Sequence, residues 1–587
     1  MPFGAELAER GVRFAVWAPG ATSARLHLDG HDLPMERRGD GFFVRVEATA
    51  RAGSRYAYSF DGRDLLVPDP ASRFNPEDVH APSEVVDPRG FGWTDEQWHG
   101  RPWREAVIYE LHVGTFTREG TYEAAIGHLD YLVELGITAI ELMPLADTPG
   151  KRNWGYDGVL PFAPEHCYGK PEDLKRFVQE AHLRGLMVLL DVVYNHFGPE
   201  GNYLHLYAPQ FFTDRHHTPW GSGINFDDHA SEIVRQFFIH NALYWLEEYH
   251  FDGLRLDAVH AIADDSNPSF LDELAATVRS QAFGRAVHLV LENDDNAARF
   301  LRRGPDGEPQ AYDAQWNDDF HHALHALLSS EMGGYYQDYD RPAAHLLRTL
   351  REGFAYQGEY SHYRGEPRGE PSAALPPEAF VSFLQNHDQI GNRPDGKRLW
   401  MVVPPERTLA AELLLALLPG PILLFMGDEF RAPSLFPFFC DFGGELGAAV
   451  EEGRQREFAG LGGRDPPILP SPIAPESREV AVLDWTAPRR EPHATALART
   501  RAWLGLRRSV LYPRLPARAE RGELLGERAL ATSWRLADGA LLHVVANLDD
   551  VELAATRPPG ALLARTSAPT AAAMLPPWHV CWTLEHG

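Results

Sequence analysis

Along the first 90 residues apolar and polar positions alternate. "GVRFAVWAPG", "SARLHLDG" and "SRYAYSFDGRD" read as short strands, each closed by a Gly turn. They predict a small β-sandwich. The Pro- and Asp-rich stretch "VPDPASRFNPEDVHAPSEVVDP" follows and reads as an extended linker, with a boundary near residue 90. From about residue 100 the period changes. "EAVIYELHV", "ITAIELMP", "LMVLLDVV", "FDGLRLD" and "AVHLVLE" are short apolar runs of buried-strand type. Between them lie helical patterns: "TYEAAIGHLDYLVELG" ending at Gly136, "KPEDLKRFVQEAHLRG" with Pro near its start, "SEIVRQFFIHNALYWLEEYH" and "PSFLDELAATVRSQ". "YDAQW", "FVSFLQ" and "PILLFMG" complete a set of eight strands. Eight strands alternating with helices favour a parallel (β/α)8 TIM barrel, and the Gly-rich phosphate turns of a doubly wound sheet are missing. Two long interruptions, 197–230 and about 331–378, fall where a barrel carries its active-site loops; the second shows no clear periodicity. After about 510 strand patterns return in "ALATSWRL", "GALLHVVANL" and "HVCWTL". The predicted organisation is multidomain: an N-terminal β-sandwich over 1–90, the barrel over 91–510 and a C-terminal β-sandwich over 511–587.

Composition narrows the partners. With 587 residues, 44% of them hydrophobic, the chain is too long for one simple domain. Fifty-five basic residues against 83 acidic ones leave a net charge of −28, which disfavours a nucleic-acid partner. Cys167, Cys440 and Cys581 are far apart, with neither metal spacing nor a disulfide framework. The first residues, "MPFGAELAERGVRF", lack an apolar signal segment, and "AAELLLALLPGPILLFMG" is interrupted by Glu412 and a Pro-Gly-Pro turn. The expectation is a cytoplasmic protein with no membrane span. Aromatic residues, at 11%, suit sugar binding but equally suit a large core.

Chemistry is expected where barrel strands end. The third strand runs out in Asp191, Asn195 and His196, the fourth in Arg255 and Asp257, the fifth in Glu292, and the seventh in Asn386, His387 and Asp388. In "FDGLRLDAVH", Leu254 and Leu256 look like the inward positions, which makes Arg255 and Asp257 the anomaly. Arg255 and Asp257, two residues apart, share one face, so the guanidinium can hold Asp257 ionised. Apolar neighbours and nearby negative charge should keep a proton on Glu292. One ionised and one protonated carboxyl, about 5–5.5 Å apart, is the retaining-glycosidase arrangement. A lone Asp at a strand end is usually a cap or an ion-pair partner; four strand ends together favour a carboxylate hydrolase. A metal hydrolase competes, but "YELHVGTF" offers only His112 after the first strand, and adjacent His216-His217 rarely share an ion.

"DVVYNH", "GLRLDAVH", "LENDDN" and "FLQNHD" resemble, in order, spacing and strand context, the four signature regions of the alpha-amylase superfamily. The resemblance spans nearly the whole chain. It implies Asp257 as nucleophile, Glu292 as general acid/base and Asp388 as the holder of hydroxyls on the distorted sugar. It further implies Arg255 as the arginine beside the nucleophile, His196 and His387 as ligands of the sugar at the cleaved bond, and Tyr156 of "NWGYDGV" as the ring under that sugar. Branching enzymes, isoamylases and maltooligosyltrehalose trehalohydrolases share the N-terminal sandwich. "KRNWGYDGVLPFAPEHCYG", "FFTDRHHTPWGSGINFDD" and "FLQNHDQIGNR" look most like the last group. Asn293-Asp294-Asp295-Asn296 after the acid residue departs from the branching pattern, and "SLFPFFCDF" after Asp428-Glu429 matches the family only approximately.

This resemblance implies a retaining hydrolase that cuts the α-1,4 bond next to the terminal trehalose of maltooligosyltrehalose, releasing trehalose. The implied partners are that α-glucan and, metabolically, a trehalose-capping synthase. No cofactor or metal is implied, and chelation is expected to leave activity intact. The candidates for reading the trehalose are loops 197–230 and 331–378, His260 and the Asp294-Asp295 pair; His260 has the rival reading of a cap for the next helix. Alternatives are a glucan branching enzyme and an inactive glucan-binding protein, the latter disfavoured by the intact Asp257, Glu292 and Asp388. Trp17 of the first domain fits either a glucan platform or a core residue.

Overall fold

The structure, a computed structural model, describes residues 1–218, 221–459, 470–568 and 573–586. Pro219 and Trp220 of the first insertion lie outside the described residues. At the N-terminus two four-stranded sheets pack face to face, with Phe14 of one against Tyr56 of the other at 4.9 Å. Trp17 is buried edge-on to Phe211, so it is core and not a platform. The Pro- and Asp-rich stretch is not the extended linker its composition predicts. Residues 67–75 are largely buried, because short polar side chains replace a regular ladder. Asp69 accepts from the hydroxyls of Tyr56 (3.0 Å) and Tyr58 (3.2 Å) and from the N–H of Ala71 (2.9 Å).

Eight parallel strands close into a barrel in chain order. They are β1 (Val107–Leu111), β2 (Ala139–Leu142), β3 (Met187–Val192), β4 (Gly253–Leu256), β5 (His288–Leu291), β6 (Ala314–Trp316), β7 (Phe380–Phe383) and β8 (Ile422–Phe425). Two separate apolar layers surround the strands. Ile108, Leu189, Val290, Val381 and Leu423 fill the lumen. Leu254 and Leu256 belong to the other layer, shared with the helices. The inward assignment of these leucines is therefore reversed: Arg255, in register with Asp191 and Val290, is the residue that faces the lumen. Both faces of a parallel strand are buried, so apolar alternation cannot say which face is inside.

The helices begin and end where local chemistry requires. Pro171–Leu183 carries Pro at its first position, and Phe270–Ser280 is capped by Ser269 with Asp272 in a reciprocal pair. That cap excludes His260 from the role. The helix predicted over 122–135 is two, Tyr122–Ile126 and Leu129–Leu135, parted at Gly127; Gly136 ends the second at φ 106°, a left-handed position suited to glycine. The insertion at 331–378 contains a helix, Pro342–Glu352, and a hairpin, Glu359–Ser361 with Glu366–Arg368. The C-terminal region is a five-stranded antiparallel sheet with a two-stranded ribbon. Its Trp582 and Trp534 donate to the carbonyls of Leu413, on helix Pro405–Ala416, and of Leu350, on helix Pro342–Glu352 of the insertion. No described helix is long and apolar enough to cross a membrane.

Candidate active site

Leu256 of β4 pairs in register with Leu291 of β5. Asp257 and Glu292 are the next residues, so both carboxyls leave neighbouring strands at one level. The ladder continues past them, with Asp257 N–H to Val192 O and Glu292 N–H to Leu256 O, each 3.0 Å. The fully buried guanidinium of Arg255 joins the two acids. Its Nη1 donates to Asp257 Oδ1 (2.8 Å) and Asp191 Oδ2 (2.7 Å), and its Nη2 lies 2.9 Å from Glu292 Oε2. The cation also stacks 4.0 Å from the centre of the Trp316 ring.

The two acids differ in surroundings. Burial opposes charge on Asp257, yet Arg255 and the Asn195 amide, 2.8 Å from Oδ2, hold its carboxyl below the usual range. Burial dominates at Glu292, and the charges of Asp257, Asp388 and Asp318 add to it, so its carboxyl is pushed well above the usual range despite Arg255. Ala258 N–H donates to Glu292 Oε2 at 2.7 Å while Ala258 sits at φ 39°, a strained conformation for a residue with a Cβ. Thus the backbone after Asp257 is bent to orient Glu292.

Tyr156 donates to Asp191 Oδ2 at 2.6 Å and stacks on His387, ring centres 4.9 Å apart. Against the cost of burial, the carboxylates of Glu110 and Asp388 raise His387 to about 9. His196 is bonded to Asn195 Oδ1, and burial outweighs Asp257 to lower its ring below the usual histidine value. Asp388 is partly open, with Oδ1 accepting from Asn392 at 3.2 Å; Asn386 caps the short helix that carries it. The eight site residues expected from sequence therefore divide. Asp257, Glu292, Arg255 and Tyr156 form one network, His387 joins it through Tyr156, His196 joins it through Asn195, and Asp388 stands 3.6 Å from His387 Nε2. His260 stands at the rim, its Nδ1 accepting from Asp294 N–H at 3.2 Å.

The Asp294-Asp295 pair lies at the surface but is already engaged by two arginines. Asp294 is paired with Arg368 (2.9 Å) and Asp295 with Arg364 (2.6 Å), which tie the 359–368 hairpin to the loop after β5. Sequence reasoning missed Glu110, Glu141 and Asp318. Glu110 and Glu141 are register partners in the lumen, and burial followed by Glu110 pushes Glu141 well above the usual carboxyl range. The signal was present, since each is a lone acid inside an otherwise apolar strand. Asp428 and Glu429 are structural, bonded to Gln385 and to Tyr109 and Tyr131. Two clusters could hold an ion among the described residues, Glu165-His166-Cys167 and His216-Asp227-Asp265. The first is bonded internally, with Cys167 Sγ 2.9 Å from Glu165 Oε1 and His166 Nδ1 2.9 Å from Asp147.

Residues 86–216 match the family described as the alpha amylase catalytic domain. Residues 2–79 match carbohydrate-binding module 48, the isoamylase N-terminal domain, and 517–582 match a domain of unknown function. A Deinococcus radiodurans protein named malto-oligosyltrehalose trehalohydrolase is 45% identical over 86% of this chain and 82% of the relative. A Rhizobium protein of the same name is 42% identical over 94% of each. The crystal structure of a Salmonella typhimurium protein described as an alpha amylase superposes with TM-score 0.95 at 43% identity, covering 100% of this chain and 99% of the other.

Proposed function

Because the chain belongs to the malto-oligosyltrehalose trehalohydrolase family, we propose that it hydrolyses the α-1,4 bond between a maltooligosaccharide and its terminal trehalose with retention of configuration. The observation that carries the chemistry is Arg255, which holds Asp257 and Glu292 on one guanidinium, with the first carboxyl held below and the second pushed above the usual range. Asp257 attacks the anomeric carbon. The bond to the glycosidic oxygen breaks, and that oxygen takes the proton of Glu292, freeing trehalose. Glu292, now ionised, removes a proton from water. The water oxygen bonds to the anomeric carbon, and Asp257 leaves as a carboxylate. Tyr156 offers a ring beneath the sugar, and His196, His387 and Asp388 offer partners to its hydroxyls. The family's names support the trehalose leaving group. We further propose action in the cytoplasm, after an enzyme that converts the reducing end of an α-glucan into a trehalose unit, and a division at 1–90, 91–510 and 511–587.

Product chromatography on a trehalose-capped maltooligosaccharide beside the uncapped chain tests the reading. Free trehalose from the capped substrate is expected, with Asp257→Ala and Glu292→Gln folded and inactive. New branch points from amylose, or near-normal turnover by either variant, would overturn it.

A further inference from the structure

Glu110 is the fourth of the five residues of the barrel's first strand, fully buried, with no contact to Asp257 or Glu292 among its described bonds. We propose that Glu110 is a positioning residue of the hydrolysis, whose carboxylate fixes the His387 ring and keeps it a cation at the sugar-binding floor. The inference rests on the glycosidase reading above. Oε1 of Glu110 is 2.5 Å from Nδ1 of His387, and Oε2 accepts the His387 backbone N–H at 3.3 Å. One carboxylate therefore grips both the ring and the main chain of a residue 277 positions away. With Nδ1–H committed to Glu110, the ring presents its Nε2–H toward the mouth, 3.6 Å from Asp388. The opposite face of the ring rests on Tyr156, whose hydroxyl is bonded to Asp191 and through it to Arg255. Glu110 is thus linked to the nucleophile's counter-ion by contacts only.

The groups around the ring decide its charge. Burial among Trp154 and Trp316 disfavours an imidazolium there, as does Arg255, while His112, lowered to about 3 by its own burial, is neutral. Tyr156 is neutral, and so is Glu141, pushed well above the usual range. Two carboxylates remain. Asp388 is the more distant and is 40% exposed, whereas Glu110 is in contact and 1% exposed. Removing Glu110 leaves burial unopposed except by Asp388, so the ring loses its proton at lower pH.

The test is the pH profile of trehalose release by Glu110→Gln. The alkaline limb of kcat/KM should move at least about one pH unit lower, because a fixed proton on His387 is lost earlier. The acid limb should stay in place, and Glu110→Asp should return the alkaline limb part of the way. On a His387→Asn background the further Glu110→Gln change should not shift the limb. A Glu110→Gln profile that differs from wild type by one scale factor would overturn the proposal. Should Glu110→Gln fail to fold, the imidazole of His387 in the unaltered protein, assigned by its loss in His387→Asn, can be titrated by NMR. A ring that loses its proton below pH 7 would also overturn it. Wild type that releases no trehalose would instead sink the glycosidase reading, so the two failures are distinct.

Discussion

At the scale of single residues, the site is one cation shared among acids. Arg255 serves Asp191, Asp257 and Glu292 from a fully buried position. A charge this deep is tolerated because its partners come from three adjacent strands at fixed register. The same cation acts unequally. It adds to the Asn195 bond at Asp257, and it only partly offsets burial and three neighbouring acids at Glu292. The sign of the pH response follows. Asp257 must be ionised to attack, and its value is depressed, so activity is lost on the acid side only below the ordinary carboxylate range. Glu292 and, on the inference above, His387 must carry their protons, and both values are raised, so activity persists above pH 4.5 and falls where the first of the two loses its proton. The kcat/KM profile of the wild type should therefore be a broad bell. Asn195→Ala should move the acid limb upward, since Asp257 loses the amide that favours its charge. An acid limb that stays fixed would show that Asn195 acts on shape alone. Asp257 and Glu292 were legible in sequence because a charge at the end of an apolar run is conspicuous. Glu110 and Glu141 were less so: each is a lone acid in an apolar strand, but it lies within the strand rather than past its end, where barrel chemistry is expected.

At the scale of elements, the end of the barrel opposite the site depends on a second buried pair. His182 of helix Pro171–Leu183 donates between Asp95 (2.8 Å) and Asp252 (2.9 Å), with Trp98 stacked on it at 4.9 Å. Asp252 also accepts from Val188 N–H at 2.8 Å, so helix, β3 and the entry to β4 meet at one carboxylate. Burial opposes charge on His182, but Asp252 and Asp95 raise it above its ordinary value. A raised histidine contributes stability that is complete below its unfolded value and lost as pH rises through its folded value. His182→Ala should cost about 3–5 kcal/mol by urea titration at pH 6, because it removes the cation that two buried carboxylates share. The gap to wild type should narrow at higher pH. A gap that does not change with pH would mean that the ring is neutral in the folded chain. The barrel itself was legible because eight apolar runs and their helices repeat. Two local features were not. Gly127 splits a helix whose apolar positions run through the break, and helix Pro342–Glu352 was passed over although Pro342 opens it and Gly353 closes it. The Pro- and Asp-rich stretch misled for a related reason, since residues that form turns say nothing about whether those turns are buried.

For the whole molecule, the question is how a common barrel reads an uncommon end group. The insertion at 331–378 is seated through Leu346, Leu350 and Phe354 in the main core, and its 359–368 hairpin is tied down further by arginines. Arg368, 5% exposed, pairs with Asp319 (2.8 Å) and Asp294 (2.9 Å) and donates to the Asp294 carbonyl at 2.7 Å. Arg364 adds Asp295, and Tyr335 and Tyr363 lie exposed beside one another, ring centres 6.3 Å apart. The acidic pair after β5 thus works as an anchor, and the surface it positions is the aromatic one. This changes what a substitution should do. Arg368→Met leaves Asp319 buried without its cation, so the hairpin should lose its seat while Asp257, Glu292 and Arg255 keep theirs. Amide exchange should rise over 359–368 and not over β4 and β5. KM for the trehalose-capped chain should rise about tenfold or more, equivalent to about 1.4 kcal/mol of lost binding, with a smaller change in kcat. If exchange rises as expected and KM does not move, the insertion covers the mouth without reading the sugar, and selectivity must come from the loop at 197–230.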